Sequence, residues 1–170
     1  MKKTLIDYVK RGAFDELYTP SYAIKPLLSL IVYPDTTIWC PFDTADSNIV
    51  KELQKKGHKV IHSHISEGKD FFNYEPSEPY DMIISNPPYS IKDDVLERCY
   101  EIGKPFALLL PITALEGTRR GNLFRKHGLD LLVLDKRVDF NGKGKCWFNT
   151  SWFCYRMPMI NGIWFASIDK

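Results

Sequence analysis

Asn86, Pro87, Pro88 and Tyr89 stand together in a run whose residue types suit one kind of chemistry. Adjacent prolines fix φ over two residues and leave carbonyls with no competing N–H, so the loop that carries them is stiff. It aims two acceptors outward, the Asn86 amide oxygen and the Pro87 carbonyl. Such a pair matches a planar –NH2 group. The two amine hydrogens bond to the two oxygens while the nitrogen lone pair is drawn out of conjugation toward an electrophile. Tyr89, next in line, can stack on the flat ring that bears the amine. For an isolated Asn-Pro-Pro, a strand that merely ends in a Pro-rich turn is the plain alternative.

The element that must position this run is the segment before it. Met82, Ile83 and Ile84 form a short apolar run with β-branched members, which predicts a strand buried on both faces. Asn86-Pro87-Pro88 stops it, because proline cannot donate to a strand ladder and forces its predecessor out of helical geometry. An open α/β sheet presents chemistry at its carboxyl edge in this way.

The rest of the chain supplies such a sheet. Residues 3–12 predict a short helix ended by Gly12, and Tyr18-Thr19-Pro20 precedes an apolar helical stretch over Ile24–Val32. Pro26 is tolerable there only in the first turn. Thr37–Cys40 is the first strand and Pro41-Phe42-Asp43 the turn after it. Asp46 or Ser47 can cap the next helix, whose face is Ile49, Val50 and Leu53 and whose end is Gly57. His58–His62 is the second strand, and Gly68-Lys69-Asp70-Phe71-Phe72 follows it. So little chain remains before Pro79 that the usual intervening helix is shortened or absent. After Tyr89, Ser90 can cap a helix with Ile91, Val95, Cys99 and Ile102 on one face and Gly103 as its stop. Phe106–Leu110 reads as a further near-continuous apolar strand and Leu131–Leu134 as the next. Between them lie a loop or short helix over Thr113–Arg120 and a helix over Gly121–His127, and Gly162–Ile168 can add a last strand. This alternation predicts an α/β fold with a mostly parallel sheet and helices on both faces.

At 170 residues, with 44% hydrophobic and 14% aromatic content, the chain suits one packed domain over 1–170. A net charge of +2 requires any nucleic-acid contact to come from a local patch. Lys136–Phe148 offers one, with Lys136, Arg137, Lys143 and Lys145 set among Phe140, Trp147 and Phe148 around an Asn-Gly turn. Basic residues interleaved with aromatics suit phosphate contact plus base stacking, while a solvated hairpin tip is the alternative. The N-terminus carries the charge of a signal peptide without its apolar core, and no run reaches the ~18 apolar residues of a membrane span. Cysteines 40, 99, 146 and 154 lack Cys-x-x-Cys spacing, as expected of reduced thiols in a cytoplasmic protein. His62 and His64 have no third ligand spaced nearby, so no metal site is expected.

Asn-Pro-Pro-Tyr behind an Asp-x-Ile-Ile strand resembles motif IV of the S-adenosylmethionine-dependent amino-methyltransferases. The likeness is closest to small, phage-like DNA adenine-N6 enzymes, and RNA-base and protein-amide methyltransferases share the motif. The resemblance implies a Rossmann-like class I fold with a seven-stranded sheet. It also implies S-adenosylmethionine as cofactor and direct methyl transfer with no covalent enzyme intermediate. Tyr18-Thr19-Pro20 is similar to motif X, which closes over the methionine end of the cofactor. Pro41-Phe42-Asp43 falls where the family carries Asp-x-Phe-x-Gly-x-Gly. Phe42 fits, but Cys40 stands in the place of the acid and Thr44 and Asp46 in the places of the glycines. Asp43 is the neighbouring residue that could take over the acid's role, or it belongs to an ordinary helix-capping region. Ser63 or His64 occupies the position of the acid that often holds the ribose.

Asp70 and Phe71 look like motif III, which implies an acceptor for the cofactor adenine amine and a ring packed on it. Phe148 resembles the aromatic of motif VIII, which packs against an extruded base, with Arg137, Lys143 and Lys145 as phosphate contacts. On this reading Asn86 and Pro87 orient the amine and Tyr89 and Phe148 sandwich the base. DNA is the favoured partner. No separate target-recognition domain is expected, so sequence reading must be weak or supplied by a homodimer or an accessory partner. The rival class is a non-catalytic module that kept the fold and the base-binding tip but lost the cofactor with its altered turn.

Overall fold

Seven short strands form one mixed sheet, and the order in which they lie explains where the Asn-Pro-Pro-Tyr run ends up. The computed structural model describes residues 18–144 and 148–169. Its strands are β1 (Thr37–Cys40), β2 (Lys59–His62), β3 (Met82–Ser85), β4 (Phe106–Pro111), β5 (Asp130–Leu134), β6 (Thr150–Tyr155) and β7 (Ile163–Ala166). They lie in the order β2-β1-β3-β4-β6-β5-β7. β6 runs antiparallel to both of its neighbours, whereas the other pairings are parallel. β3 and β4 sit near the middle, and every residue of both is buried. That burial is why their sequences are continuously apolar and not alternating.

Among the described residues four helices flank the sheet: α1 (Ser21–Leu28), α2 (Asn48–Lys55), α3 (Lys92–Ile102) and α4 (Thr118–His127). α1 and α2 cover one face, where Ala23, Ile24, Leu27, Ile49, Val50 and Leu53 meet Ile38, Ile84, Leu109 and Trp152. The Trp152 indole N–H donates to the Ala23 carbonyl at 3.0 Å, fixing α1 to β6. α3 covers the other face through Val95, Leu96 and Cys99, with Leu123 and Phe124 of α4 at its margin.

Several expectations are adjusted. α1 starts and stops earlier than Ile24–Val32, and Pro26 lies in its second turn, not its first. The short helix tolerates it because Ala23, Ile24, Leu27 and Leu28 are all anchored in the core. Ser90 does not cap α3. It falls in a 3-10 turn over Tyr89–Ile91, and Ile91 holds the cap position without a side-chain bond. Gly103 ends α3 at φ 73°, a left-handed conformation that glycine adopts at little cost. α4 begins at Thr118, and the segment before it is a 3-10 turn over Ile112–Leu115. The described residues form seven strands: the one expected directly after Phe148 is β6, and the last, near the chain's end, is β7. The stretch from β2 to β3 contributes only a 3-10 turn, Ile65–Glu67, and no strand. The helix read over residues 3–12 lies outside the described residues. No described helix is long and apolar enough to cross a membrane. Cys40, Cys99 and Cys154 are free and buried.

Candidate active site

From β1 the chain passes outward to β2, then returns to the other side of β1 to form β3, so the sheet's winding reverses between β1 and β3. Their carboxyl ends therefore diverge into loops on opposite sides, leaving the crevice in which open α/β sheets bind ligands. The loop after β1 (41–47), the loop after β3 (86–91) and the connection from β5 to β6 (135–149) all leave this edge, since β1, β3, β4 and β5 point the same way.

Ser85 is fully buried at the end of β3, Asn86 and Pro88 are half-buried, and Pro87 is buried. The chain passes directly from Pro88 (φ −56°, ψ 127°) into the 3-10 turn, whose Tyr89 carbonyl accepts from Lys92 Nζ at 3.1 Å. The Asn-Pro-Pro tip is thus held between a central strand and a short helical turn.

Tyr89 meets two rings of the β5–β6 connection. Its centroid lies 5.5 Å from Phe148, nearly perpendicular at 80°, and 6.4 Å from Phe140. Phe140 and Phe148 are 6.3 Å apart with a 35° tilt, closing a triangle. Edge-to-face packing of this kind is the favoured geometry of aromatic pairs. The structure therefore brings together the two aromatics singled out in sequence and adds Phe140. Phe140 lies eight residues from Phe148 in an irregular loop, and no periodicity in sequence signals that contact.

The connection itself is organised by Asp139. Its carboxylate accepts from the Gly144 N–H at 2.7 Å, and the amides of the tip hold the carboxyl below its ordinary range. Its own N–H donates to the Tyr22 hydroxyl of α1 at 2.7 Å. Gly142 and Gly144, both at φ 68°, allow the chain to wrap around it. Lys143 is exposed at the tip, Arg137 Nε donates to Asn149 Oδ1 at 3.0 Å, and Lys145 lies outside the described residues. Lys143→Ala combined with Lys145→Ala is expected to weaken nucleic-acid binding. The log–log salt slope should fall by roughly one for each phosphate left without its lysine. Fluorescence anisotropy across a salt series reads this directly, and an unchanged slope would make the tip a solvated loop only.

On the β1 side, Phe42 is half-buried and packs against Phe71 at 4.8 Å. Phe71 is fully buried, 5.5 Å from Trp39, with the Arg98 guanidinium 5.3 Å from its ring. It is a core ring that backs Phe42, and the partly exposed ring beside Asp70 is Phe72. Asp70 is nearly buried. One carboxylate oxygen accepts from the Phe72 N–H at 3.0 Å and the other from the Asn73 amide at 3.3 Å, so it caps its own turn. Pro41 and Asp43 are buried, and Ser85 Oγ donates to Asp43 Oδ2 at 2.5 Å. Burial pushes the Asp43 carboxyl up to about 6, opposed by the Ser85 and Ser47 hydroxyls and by His64 and His62. The Cys40 thiol is pushed up by burial and by Asp43, which keeps it protonated and inert. Tyr18 is exposed, and the buried Thr19 accepts from Asn48 Nδ2 at 3.0 Å through its carbonyl. Pro20 occupies the N-cap of α1. The Tyr-Thr-Pro segment is thereby tied to the start of α2, beside the turn that follows β1.

Among the described residues no cluster of three or more His, Cys, Asp or Glu side chains could hold a metal. His62 faces Glu67 at 3.6 Å, and His64 Nδ1 pairs with the Ser66 hydroxyl at 2.7 Å.

No family model and no curated protein sequence matches the chain. Solved structures do match it. One, from Vibrio vulnificus YJ016, is described as the modification subunit of a type I restriction enzyme. It superposes with a TM-score of 0.52 at 13% identity, over 96% of this chain and 49% of its own. Another, from Listeria monocytogenes, is described as a class I S-adenosylmethionine-dependent methyltransferase. It gives a TM-score of 0.52 at 11% identity, over 89% of this chain and 66% of its own. The chain thus spans about half the length of the first and just under two thirds of the second. The likeness is one of fold: the mostly parallel seven-stranded sheet and its flanking helices follow the Rossmann-like arrangement of the structure described as a class I methyltransferase.

Proposed function

We propose that the chain transfers the methyl group of S-adenosylmethionine to an exocyclic amine of a nucleic-acid base, with adenine N6 in DNA the favoured target. One observation carries this reading. The stiff Asn86–Tyr89 loop leaves the central strand at the switch point of a methyltransferase-type sheet and meets Phe148 and Phe140 there. Asn86 and the Pro87 carbonyl accept the two amine hydrogens, and the rings hold the base. Positioning of this kind supplies up to about 7–11 kcal/mol of a barrier without a general base. RNA bases and protein amides carry the same –NH2 group, but the Arg137–Lys145 stretch favours a phosphate-bearing partner. The basic loop by itself reads sequence weakly, so strict specificity would draw on a homodimer or an accessory partner.

The fit of the cofactor is uneven. The half-buried Phe42 ring offers an apolar face for its adenine, and the half-buried His64 follows β2, where the resemblance would put the sugar hydroxyls. The two acids nearest these positions have internal partners: Asp43 bonds to Ser85 and Asp70 to its own turn. Tyr18–Pro20 borders the same end of α2 and would close over the methionine. This departure at the charged groups favours, as a second reading, a base-binding module without transfer activity. Calorimetric titration with S-adenosylmethionine separates the two. Binding in the micromolar range is expected, followed by a methylated nucleoside in mass spectrometry of treated DNA. No detectable binding, with or without nucleic acid, would leave the module.

A further inference from the structure

Asp43 was expected in contact with the cofactor, yet its surroundings point elsewhere. It is 7% exposed, and its Oδ2 accepts from the hydroxyl of Ser85, itself fully buried, at 2.5 Å. Ser47, at the N-cap of α2, lies near enough to the carboxylate to oppose its upward shift, and its hydroxyl accepts from the Thr44 N–H at 3.1 Å. One carboxylate therefore joins the turn after β1 to the strand residue immediately before Asn86. β1 and β3 pair only through Ile38–Met82 and Trp39–Ile83, so the backbone ladder stops short of the edge where their loops diverge. Above that point the Asp43–Ser85 bond continues the join with side chains.

We propose that Asp43 is a positioning residue: through Ser85 it locks the Asn86 loop to the turn after β1, so that the two halves of the crevice keep one relative placement. The claim rests on the transfer reading for its consequence in catalysis, and on geometry alone for the clip itself. A buried acid that accepts a hydroxyl needs an acceptor oxygen more than charge, and asparagine at 43 would keep one for Ser85.

The groups facing Asp43 are Ser85, Ser47, His64, His62 and Cys40. Its carboxyl lies near 6 in the folded chain against an ordinary value of 3.8. The folded state therefore binds the extra proton between those values. Stability from this group is full below about pH 4, falls as pH rises to about 6, and is level above. Asp43→Asn should erase that fall.

The test is a cycle of Asp43→Ala, Ser85→Ala and the double variant, with Asp43→Asn as rescue. Initial rates, calorimetric cofactor affinity and thermal unfolding from pH 4 to 7.5 are measured on the full chain. Expected are a loss of about tenfold or more in kcat for each alanine variant and no further loss in the double. Cofactor affinity should stay within about twofold, and most of the rate should return in Asp43→Asn. A cofactor affinity that falls more than about tenfold at Asp43 but not at Ser85 would overturn the proposal in favour of direct cofactor contact. Additive rate losses would overturn it as well. If the wild-type chain neither binds cofactor nor transfers methyl, the transfer reading fails on its own. The clip is then judged on melting temperatures, where additive shifts for 43 and 85 reject it and non-additive shifts uphold it.

Discussion

Asn86→Ala is expected to cut methyl transfer by about 10²-fold or more while the fold stays intact. The amide sits at the tip of a loop pinned by two prolines and a 3-10 turn, immediately after a strand whose every residue is buried. On the proposed reading its carbonyl oxygen is one of two acceptors that set the amine's plane, and losing it frees the amine to rotate. A misplacement of order 1 Å costs on that scale. The effect on stability should be far smaller. Asn86 is half-buried and lies past the last residue of β3, so its side-chain bonds are worth about 1 kcal/mol. For a domain of this size that amounts to roughly 2–4 °C in melting temperature. Asn86→Asp keeps an acceptor oxygen in the same place and should retain part of the rate. A variant that melts about 10 °C lower, well beyond that range, would make Asn86 a structural residue, and one that keeps wild-type rates would remove it from the site.

The alternation of β-branched runs with helix caps made the sheet legible, because strands buried on both faces must be continuously apolar. Met82–Ile84, stopped by Asn86-Pro87-Pro88, and Phe106–Leu110, closed by Pro111, are short apolar runs of that kind. The Asn-Pro-Pro-Tyr tip was legible for a related reason, since two prolines next to such a strand leave few conformations open. The partners of the tip were less so. Phe140 and Ser85 matter through contacts across 8 and 42 positions of sequence, in one case between residues of an irregular loop and in the other between the turn after β1 and the end of β3. Composition around Phe140 signalled a basic, aromatic loop but not which ring would turn inward. Ser85 read only as the polar end of a strand, yet burial converts its hydroxyl into an obligatory donor. Asp43 was visible as a displaced acid. Sequence left open whether the carboxylate faced the crevice or the core, and that depended on which groups β3 presented opposite it. Boundaries failed where local signals competed. Ser90 looked like a cap, but the two prolines hand the chain straight into a 3-10 turn that uses Ser90 inside it.

Phe148→Ala is expected to weaken binding of adenine-containing single-stranded DNA by roughly 5- to 150-fold, the worth of about 1–3 kcal/mol for one aromatic stack. Tyr89→Ala should match it, because the two rings meet at 5.5 Å and each holds the other's orientation. Tyr89→Phe keeps the ring and should lose little. Phe140 stands 6.4 Å from Tyr89 and 6.3 Å from Phe148, close enough to brace both. Phe140→Ala should therefore fall between wild type and Phe148→Ala if it acts as a brace, and equal Phe148→Ala if it also touches the base. Two features separate stacking from charge. Ring variants should leave the salt slope unchanged, since every lysine and arginine still meets its phosphate, whereas the lysine variants should lower it. An oligonucleotide with an abasic target position should bind wild type and Phe148→Ala alike, because neither then has a base to stack. Anisotropy with the two oligonucleotides at two salt concentrations measures both. If Phe148→Ala binds the adenine oligonucleotide within about twofold of wild type, well short of one stack, the three rings are a hydrophobic plug beneath the loop, and the base must be held elsewhere on the carboxyl edge.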